Sequence, residues 1–347
     1  MNRHLSQKII VLSFLSIILV LYIHSGFHDT PNEIHGMAFN QYLQEAISGQ
    51  LGRLAVPLFF MISGYLFFYR CDSLQKVWAK QKKRARTIGI PYLISAWFLP
   101  LFYVLMGLIP QTRIFVNSSD NSFFVGNLYE ILYRLYWDSD SGTPIGFHLW
   151  FLRDLIVIVV LAPLLYLIRK YESKGYITCA SLLILSFFLS TSVISSLLWF
   201  TLGSYFLNKI SCNKSLWIPL LFLYISFSII ELVQPSNFLK GINLPLKAIG
   251  IIAIWNLYDY FISDSFDLQK HRILATICSY TFFIYLFHEP TLNIVRKLIA
   301  LPFHHSSFGY AVSYLASPWM FAMVWIIVGM AFKRAFPKVY GICVGGR

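Results

Sequence analysis

Four short stretches of this chain set ionisable side chains among apolar ones, and any chemistry is to be sought there first. His24 lies in Val20-Leu21-Tyr22-Ile23-His24-Ser25, and Arg53 opens the run Arg53-Leu54-Ala55-Val56-Pro57. A third stretch reads His148-Leu149-Trp150-Phe151-Leu152-Arg153-Asp154, and a fourth reads Tyr285-Leu286-Phe287-His288-Glu289-Pro290. Imidazole titrates near neutral pH, carboxylates accept protons and guanidinium stays charged. Such a set suits proton transfer and the stabilisation of anions. An ionisable group in hydrocarbon is costly enough to make each position a functional candidate.

Composition defines the elements that must position these residues. The chain is 57% hydrophobic and 12% charged, against roughly 45–50% and about 25% in soluble proteins. That excludes disorder and a water-soluble globule, and leaves a polytopic membrane protein. A spanning helix takes about 20 residues, so the 347 residues hold roughly ten. The expectation is an all-α transmembrane helix bundle forming a single integral-membrane domain over residues 1–347, with no room for a separate soluble domain. The spans are read at 9–27, 51–69, 88–109, 147–168, 176–190, 193–208, 216–233, 245–263, 273–290 and 308–332. No small-residue cleavage site precedes the polar His28-Asp29, so the first run is expected to be a retained helix. The chain has no internal repeat of the kind many transporters carry.

Ten spans put both termini on one side. Twenty Lys and Arg fall in one set of alternate connections, against Arg113, Arg134, Lys240, Arg296 and Lys297 in the other. The positive-inside rule then makes both termini cytoplasmic. In that orientation His24, Arg53, His148 and His288-Glu289 all come near the outer face, with Arg153 and Asp154 one to two turns deeper than His148. A shared polar cavity opening outward would explain the convergence.

Plainer readings exist for each. His24 and His288-Glu289 suit helix ends, and Trp150 and Phe151 suit an aromatic belt at the membrane interface. Arg153-Asp154 suits a structural pair, although adjacent helix positions point apart and each is expected to have its own partner. The cluster Lys80-Gln81-Lys82-Lys83-Arg84-Ala85-Arg86 is an inner topological anchor or a phosphate site matched to polyanions such as coenzyme A. In the second case Lys80, Lys83, Arg84 and Arg86 are the contacts, His271-Arg272 is a secondary contributor, and Pro91 starts or kinks the helix that follows. His304-His305 is read as an ordinary outer loop. The net charge of +13 is spread in short clusters with no nucleic-acid motif. Cys71, Cys179, Cys212, Cys278 and Cys343 show no metal-ligand spacing and no disulfide framework.

Taken in order, several of these blocks resemble the acyltransferase 3 family of integral-membrane acyltransferases. They are His24 closing the first helix, the run Val56-Pro57-Leu58-Phe59-Phe60-Met61-Ile62-Ser63-Gly64-Tyr65, the basic segment leading to Pro91-Tyr92, His148-Leu149-Trp150-Phe151-Leu152, and Tyr285-Leu286-Phe287-His288-Glu289-Pro290. The resemblance implies transfer of an acyl group, usually acetyl, from cytoplasmic acyl-CoA to a sugar hydroxyl of a surface polysaccharide or lipid-linked glycan. It implies a bacterial inner-membrane location and makes His24 the leading catalytic residue. Members often carry an Arg eleven positions before that histidine, where this chain has Ser13; Arg53 and Arg153 are the replacements to consider. Relatives with a fused extracytoplasmic hydrolase-like domain exist, and this chain is expected to lack one.

Acyl transfer from a thioester needs a base for the acceptor hydroxyl, and an imidazole near neutral pH suits that. Glu289, Asp154 or His148 would orient it, and Arg53 or Arg153 would stabilise the tetrahedral oxyanion. Direct transfer in a ternary complex is the expectation, with a covalent acyl-histidine as the alternative and no metal called for. A transporter or flippase for a glycan, lipid or small anion would use the same intramembrane residues. A purely structural membrane partner leaves the four polar stretches unexplained.

Overall fold

The computed structural model describes residues 1–27, 37–115, 123–189, 191–210, 214–233, 237–303 and 306–346, and every regular element among them is helical. In chain order the α-helices are α1 (Arg3–His24), α2 (Met37–Gln44), α3 (Ala55–Phe68), α4 (Leu74–Arg84), α5 (Ile90–Ser95), α6 (Phe98–Leu108), α7 (Leu128–Tyr136), α8 (Trp150–Tyr171) and α9 (Tyr176–Phe188). They continue with α10 (Ser192–Phe206), α11 (Trp217–Val233), α12 (Asn237–Phe261), α13 (Arg272–Ser279), α14 (Thr281–Phe287), α15 (Thr291–Ala300), α16 (Ser307–Ala335) and α17 (Pro337–Cys343). His28, Asp29, Cys212, His304, His305 and Arg347 lie outside the described residues, as do the side chains of Arg113, Lys214 and Lys240.

Each of the ten apolar stretches falls on helix. Five helical runs, Arg3–His24, Phe39–Phe68, Leu74–Leu108, Phe147–Tyr171 and Ser307–Ala335, are long and apolar enough to cross a membrane. Tyr176–Phe188, Trp217–Glu231 and Arg272–Phe287 are shorter apolar helices. Large apolar side chains such as Leu105, Phe188, Phe222 and Ile327 face outward, the arrangement lipid requires of helices whose backbone is satisfied internally. The molecule is a polytopic helical membrane protein.

Three boundaries differ from the sequence reading. The second span does not open at Arg53: helix runs from Phe39 through a π-turn (Glu45–Leu51) and a 3₁₀ turn (Gly52–Leu54), which puts Arg53 inside it. The third begins at Leu74, because a π-turn at Ala85–Gly89 carries the basic cluster straight into the helix that Pro91 opens. Pro91 lacks an N–H, and the wider turn before it absorbs the missing bond. Between the third and fourth spans a helix unforeseen from sequence, α7, is started by a capping box. Asn127 Oδ1 accepts from the Glu130 N–H and the Glu130 carboxylate accepts from the Asn127 N–H, each at 3.0 Å.

Two contacts set how the elements sit. Helices α3 and α10 cross at glycines: a Cβ on Gly64 would strike the Phe200 backbone, and one on Gly203 would strike the Met61 backbone. Small residues let helix backbones approach in lipid, where packing carries association. At its first turns α1 is clamped to α12 by Lys8, whose Nζ donates to Asp259 Oδ2 at 2.7 Å and lies 4.1 Å over the Trp255 ring. Both partners are buried.

Candidate functional site

Three segments far apart in sequence deliver imidazoles to one place. His24 is the last residue of α1, where the Ser25 hydroxyl donates to the Leu21 carbonyl at 2.7 Å and closes the helix. His148 sits in the 3₁₀ turn (Phe147–Leu149) that starts α8. Helix α14 stops at Phe287, leaving His288 and Glu289 in the bend before α15, where Thr291 Oγ1–H donates to the Phe287 and His288 carbonyls at 3.1 Å. Ring centroids of His24 and His288 are 5.0 Å apart, and those of His148 and His288 are 4.7 Å apart. Glu289 Oε1 lies 3.7 Å from His24 Nδ1. His148, His288 and Glu289 are buried while His24 is partly exposed.

Backbone carbonyls select the tautomers. A carbonyl only accepts, so His288 carries its proton on Nδ1 and donates to Tyr285 O at 2.8 Å, and His148 carries its proton on Nε2 and donates to Leu286 O at 3.3 Å. The opposite nitrogens, His288 Nε2 and His148 Nδ1, are buried and without a hydrogen-bond partner among the described residues. A buried acceptor without a donor is costly, so two bare imidazole nitrogens beside His24 invite a hydroxyl. Tyr285 braces the cluster from below: its hydroxyl donates to His148 O at 2.9 Å. His24, His288 and Glu289 also offer one ligand atom each within 4.8 Å of one another, a donor set that could hold a transition-metal ion.

A cavity of about 420 Å³ leads away from Tyr285 to Arg84, with Ser13, Phe59, Phe151 and Cys278 on its walls. Arg84 therefore occupies the cavity that Ser13 also lines, and it alone of the basic cluster does so. Lys80 turns instead to the end of α3, donating to Phe67 O at 2.6 Å and Tyr69 O at 2.5 Å. Lys83 and Arg86 are exposed at the mouth of this region. His271 stacks on Phe266 with centroids 5.0 Å apart, and Arg272 is exposed.

The remaining candidates lie elsewhere. Arg153 and Asp154 bind each other, Nε to Oδ1 at 3.0 Å, and each has further partners of its own. Arg153 also donates to Trp137 O (2.8 Å), Gly142 O (2.9 Å) and Ser192 Oγ (3.1 Å), and Asp154 accepts from Ser196 Oγ at 3.3 Å. The pair ties α8 to α10 and to the turn after α7, and the structure does not bring it to the histidines. Arg53 lies between Glu45 (3.4 Å) and Glu231 (3.9 Å). Phe151 packs on Phe60 with ring centroids 4.6 Å apart, and Trp150 lies 6.4 Å from the same ring.

Sequence reasoning passed over Arg296, Lys247, Glu231 and Asp259. Arg296 donates to the Gly26 carbonyl and to Asn293 Oδ1 (2.6 Å) and covers the Phe27 ring at 4.6 Å, so it pins the chain just after His24. Its charge also acts on Glu289. Counting it only as an outer-loop cation hid this role. The other three lie within apolar stretches, where their cost alone marks them.

A helical membrane protein with a histidine–carboxylate cluster packed on Tyr285, a wall residue of a 420 Å³ cavity, has the parts for acid–base chemistry. The family model for the acyltransferase domain matches residues 7–332, and the chain belongs to the acyltransferase 3 family. It is an acyltransferase by that membership. The succinoglycan biosynthesis protein ExoH of Rhizobium meliloti (strain 1021) is 27% identical over 176 residues, which cover 48% of this chain and 44% of that relative. The chain thus matches less than half the length of this curated relative. No solved structure matches it.

Proposed function

We propose that this protein transfers an acyl group, acetyl in the simplest case, from cytoplasmic acyl-CoA to a hydroxyl of a surface or lipid-linked polysaccharide on the far side of a bacterial inner membrane. One observation carries the reading: His24, His148, His288 and Glu289 meet in one cluster, packed against Tyr285, which itself lines the cavity that reaches Arg84. The ten apolar stretches are ten spans of one domain over 1–347, with both termini cytoplasmic. Arg84 is then at the inner end, where acyl-CoA phosphates are met, and exposed Lys83 and Arg86 extend the same contact. The link of ExoH to succinoglycan biosynthesis favours a polysaccharide acceptor.

In this mechanism the thioester lies in the 420 Å³ cavity and the acceptor hydroxyl approaches from outside. His24 Nε2 takes the hydroxyl proton while Nδ1–H turns to Glu289, whose negative charge stabilises the imidazolium. The alkoxide oxygen forms its bond to the thioester carbonyl carbon, the tetrahedral intermediate collapses, and the carbon–sulfur bond breaks. The leaving thiolate takes the proton back from His24. No metal is needed, and a covalent acyl-histidine is not required. Arg84, standing in the cavity beside Ser13, replaces the first-helix arginine of relatives better than Arg53 or Arg153, which line no part of it. Labelled acetyl-CoA with a panel of envelope glycans tests the reading. Label must reach a glycan with wild type and not with His24→Ala; transport of a glycan or lipid with no CoA released would replace the enzyme by a transporter.

A further inference from the structure

A second cavity, of about 260 Å³, lies across an aromatic partition from the first. Phe60 and Trp150 face it while Phe59 and Phe151 face the larger one, and the Phe60 and Phe151 rings in contact at 4.6 Å close the wall. Ile23, the residue before His24, and Trp150, two after His148, stand on its lining. Its chemistry differs from that of the larger cavity. Arg53 and Lys247 supply two cations, Trp150 and Trp199 two indole faces, and Ser192 and Ser195 hydroxyls.

Arg53 is flanked by Glu45 and Glu231 at 3.4 and 3.9 Å, longer than the roughly 2.7–2.9 Å of a tight charge-assisted bond, and neither carboxylate lines the cavity. The Arg53 side chain is 42% exposed. Lys247, in the apolar run of α12, makes no hydrogen bond or ion pair among the described residues. A half-buried lysine in a membrane helix is costly, and a cavity wall that carries it and Arg53 but no carboxylate favours an anion. Indole faces pack on the C–H faces of sugar rings, and hydroxyls serve their oxygens.

We propose that this cavity holds an acidic sugar of the acceptor, with its carboxylate or phosphate between Arg53 and Lys247 and a neighbouring hydroxyl presented toward His24. The inference rests on the acyltransferase reading and adds the charge of the acceptor. Selection is then electrostatic: a neutral glycan gives Lys247 no counter-ion, whereas an acidic one supplies it.

The test titrates tryptophan fluorescence of the full chain in detergent with three oligosaccharides of equal length: uronate-containing, phosphorylated and neutral. Acidic probes are expected to bind about tenfold tighter than the neutral one, with a preference that salt weakens. Lys247→Met abolishes that preference and Lys247→Arg retains it; whichever acidic probe binds tighter identifies the anion. Equal binding of all three, or a preference that survives in Lys247→Met, overturns the proposal. The same preparations are assayed for His24-dependent CoA release. Transfer to neutral and acidic acceptors with equal kcat/KM overturns the acidic-sugar site and leaves the enzyme standing. Charge-selective binding with no transfer to any acceptor overturns the acyltransferase reading and leaves the site.

Discussion

The two ends of α1 carry polar clusters of similar residue types that differ in how tightly their carboxylate is held. At the first turns, both oxygens of Asp259 are taken, one by Lys8 at 2.7 Å and the other by His4 Nε2 at 2.9 Å. At the last turn, the carboxylate of Glu289 stands 3.7 Å from His24, and two neighbouring imidazoles show bare nitrogens. Short contacts to a buried carboxylate lock geometry, and a buried pair contributes more to a unique arrangement than to net stability. A longer contact leaves room for a substrate hydroxyl. Both clusters sit on one helix but at opposite ends, so each can be broken without touching the other.

Substitutions can break this contrast, and the largest effect is expected at the open end. His24→Ala should cut acyl transfer by about 10²–10⁴-fold while leaving the unfolding midpoint in detergent unmoved. A parallel loss of stability would erase the distinction between the ends. Asp259→Ala does the reverse: it strands the Lys8 charge and should cost about 3–5 kcal/mol of stability. Denaturant unfolding measures that, and the protein that remains folded should turn over normally. The paired change Lys8→Met with Asp259→Leu should restore much of the loss.

Glu289→Gln keeps the shape and removes the charge. It should lower kcat by about 10–100-fold, the worth of one charge-assisted bond, with the KM for acyl-CoA unchanged in steady-state assays. Gly203→Ala probes the α3–α10 crossing instead of either cluster, and overpacking there should cost about 1–3 kcal/mol by thermal unfolding. The smallest effect is expected from Lys83→Gln with Arg86→Gln. Exposed charges contribute little, so the KM for acyl-CoA should rise a few-fold, with the difference disappearing at high salt.

Much of the architecture was legible because apolar length is a local property. All ten stretches fall on helix, and the depth argument named His24, His148, His288 and Glu289, which the structure assembles. Local pattern misled where a helix changed its winding. The π-turns at Glu45–Leu51 and Ala85–Gly89 extend helices through polar residues that read as ends. Lys247 and Asp259 obey the same rule of costly intramembrane charge that singled out His24, and applying it to every apolar run would have found them. Arg84 could not be told from Lys80, Lys83 and Arg86, since their roles depend on which way each side chain leaves the helix.

By itself the sequence determined that this is a helical membrane protein, where its apolar runs lie, and where along each run an ionisable residue falls. Position along a run is one coordinate, set by the fixed rise of a helix. Only the tertiary structure decided which residues face one another: that Arg153 binds Asp154, that Arg84 shares a cavity with Ser13, and that Lys247 meets Arg53. Those pairings depend on rotation about each helix axis and on which helices are neighbours. Both are settled by how whole helices pack on one another, and no local pattern encodes them.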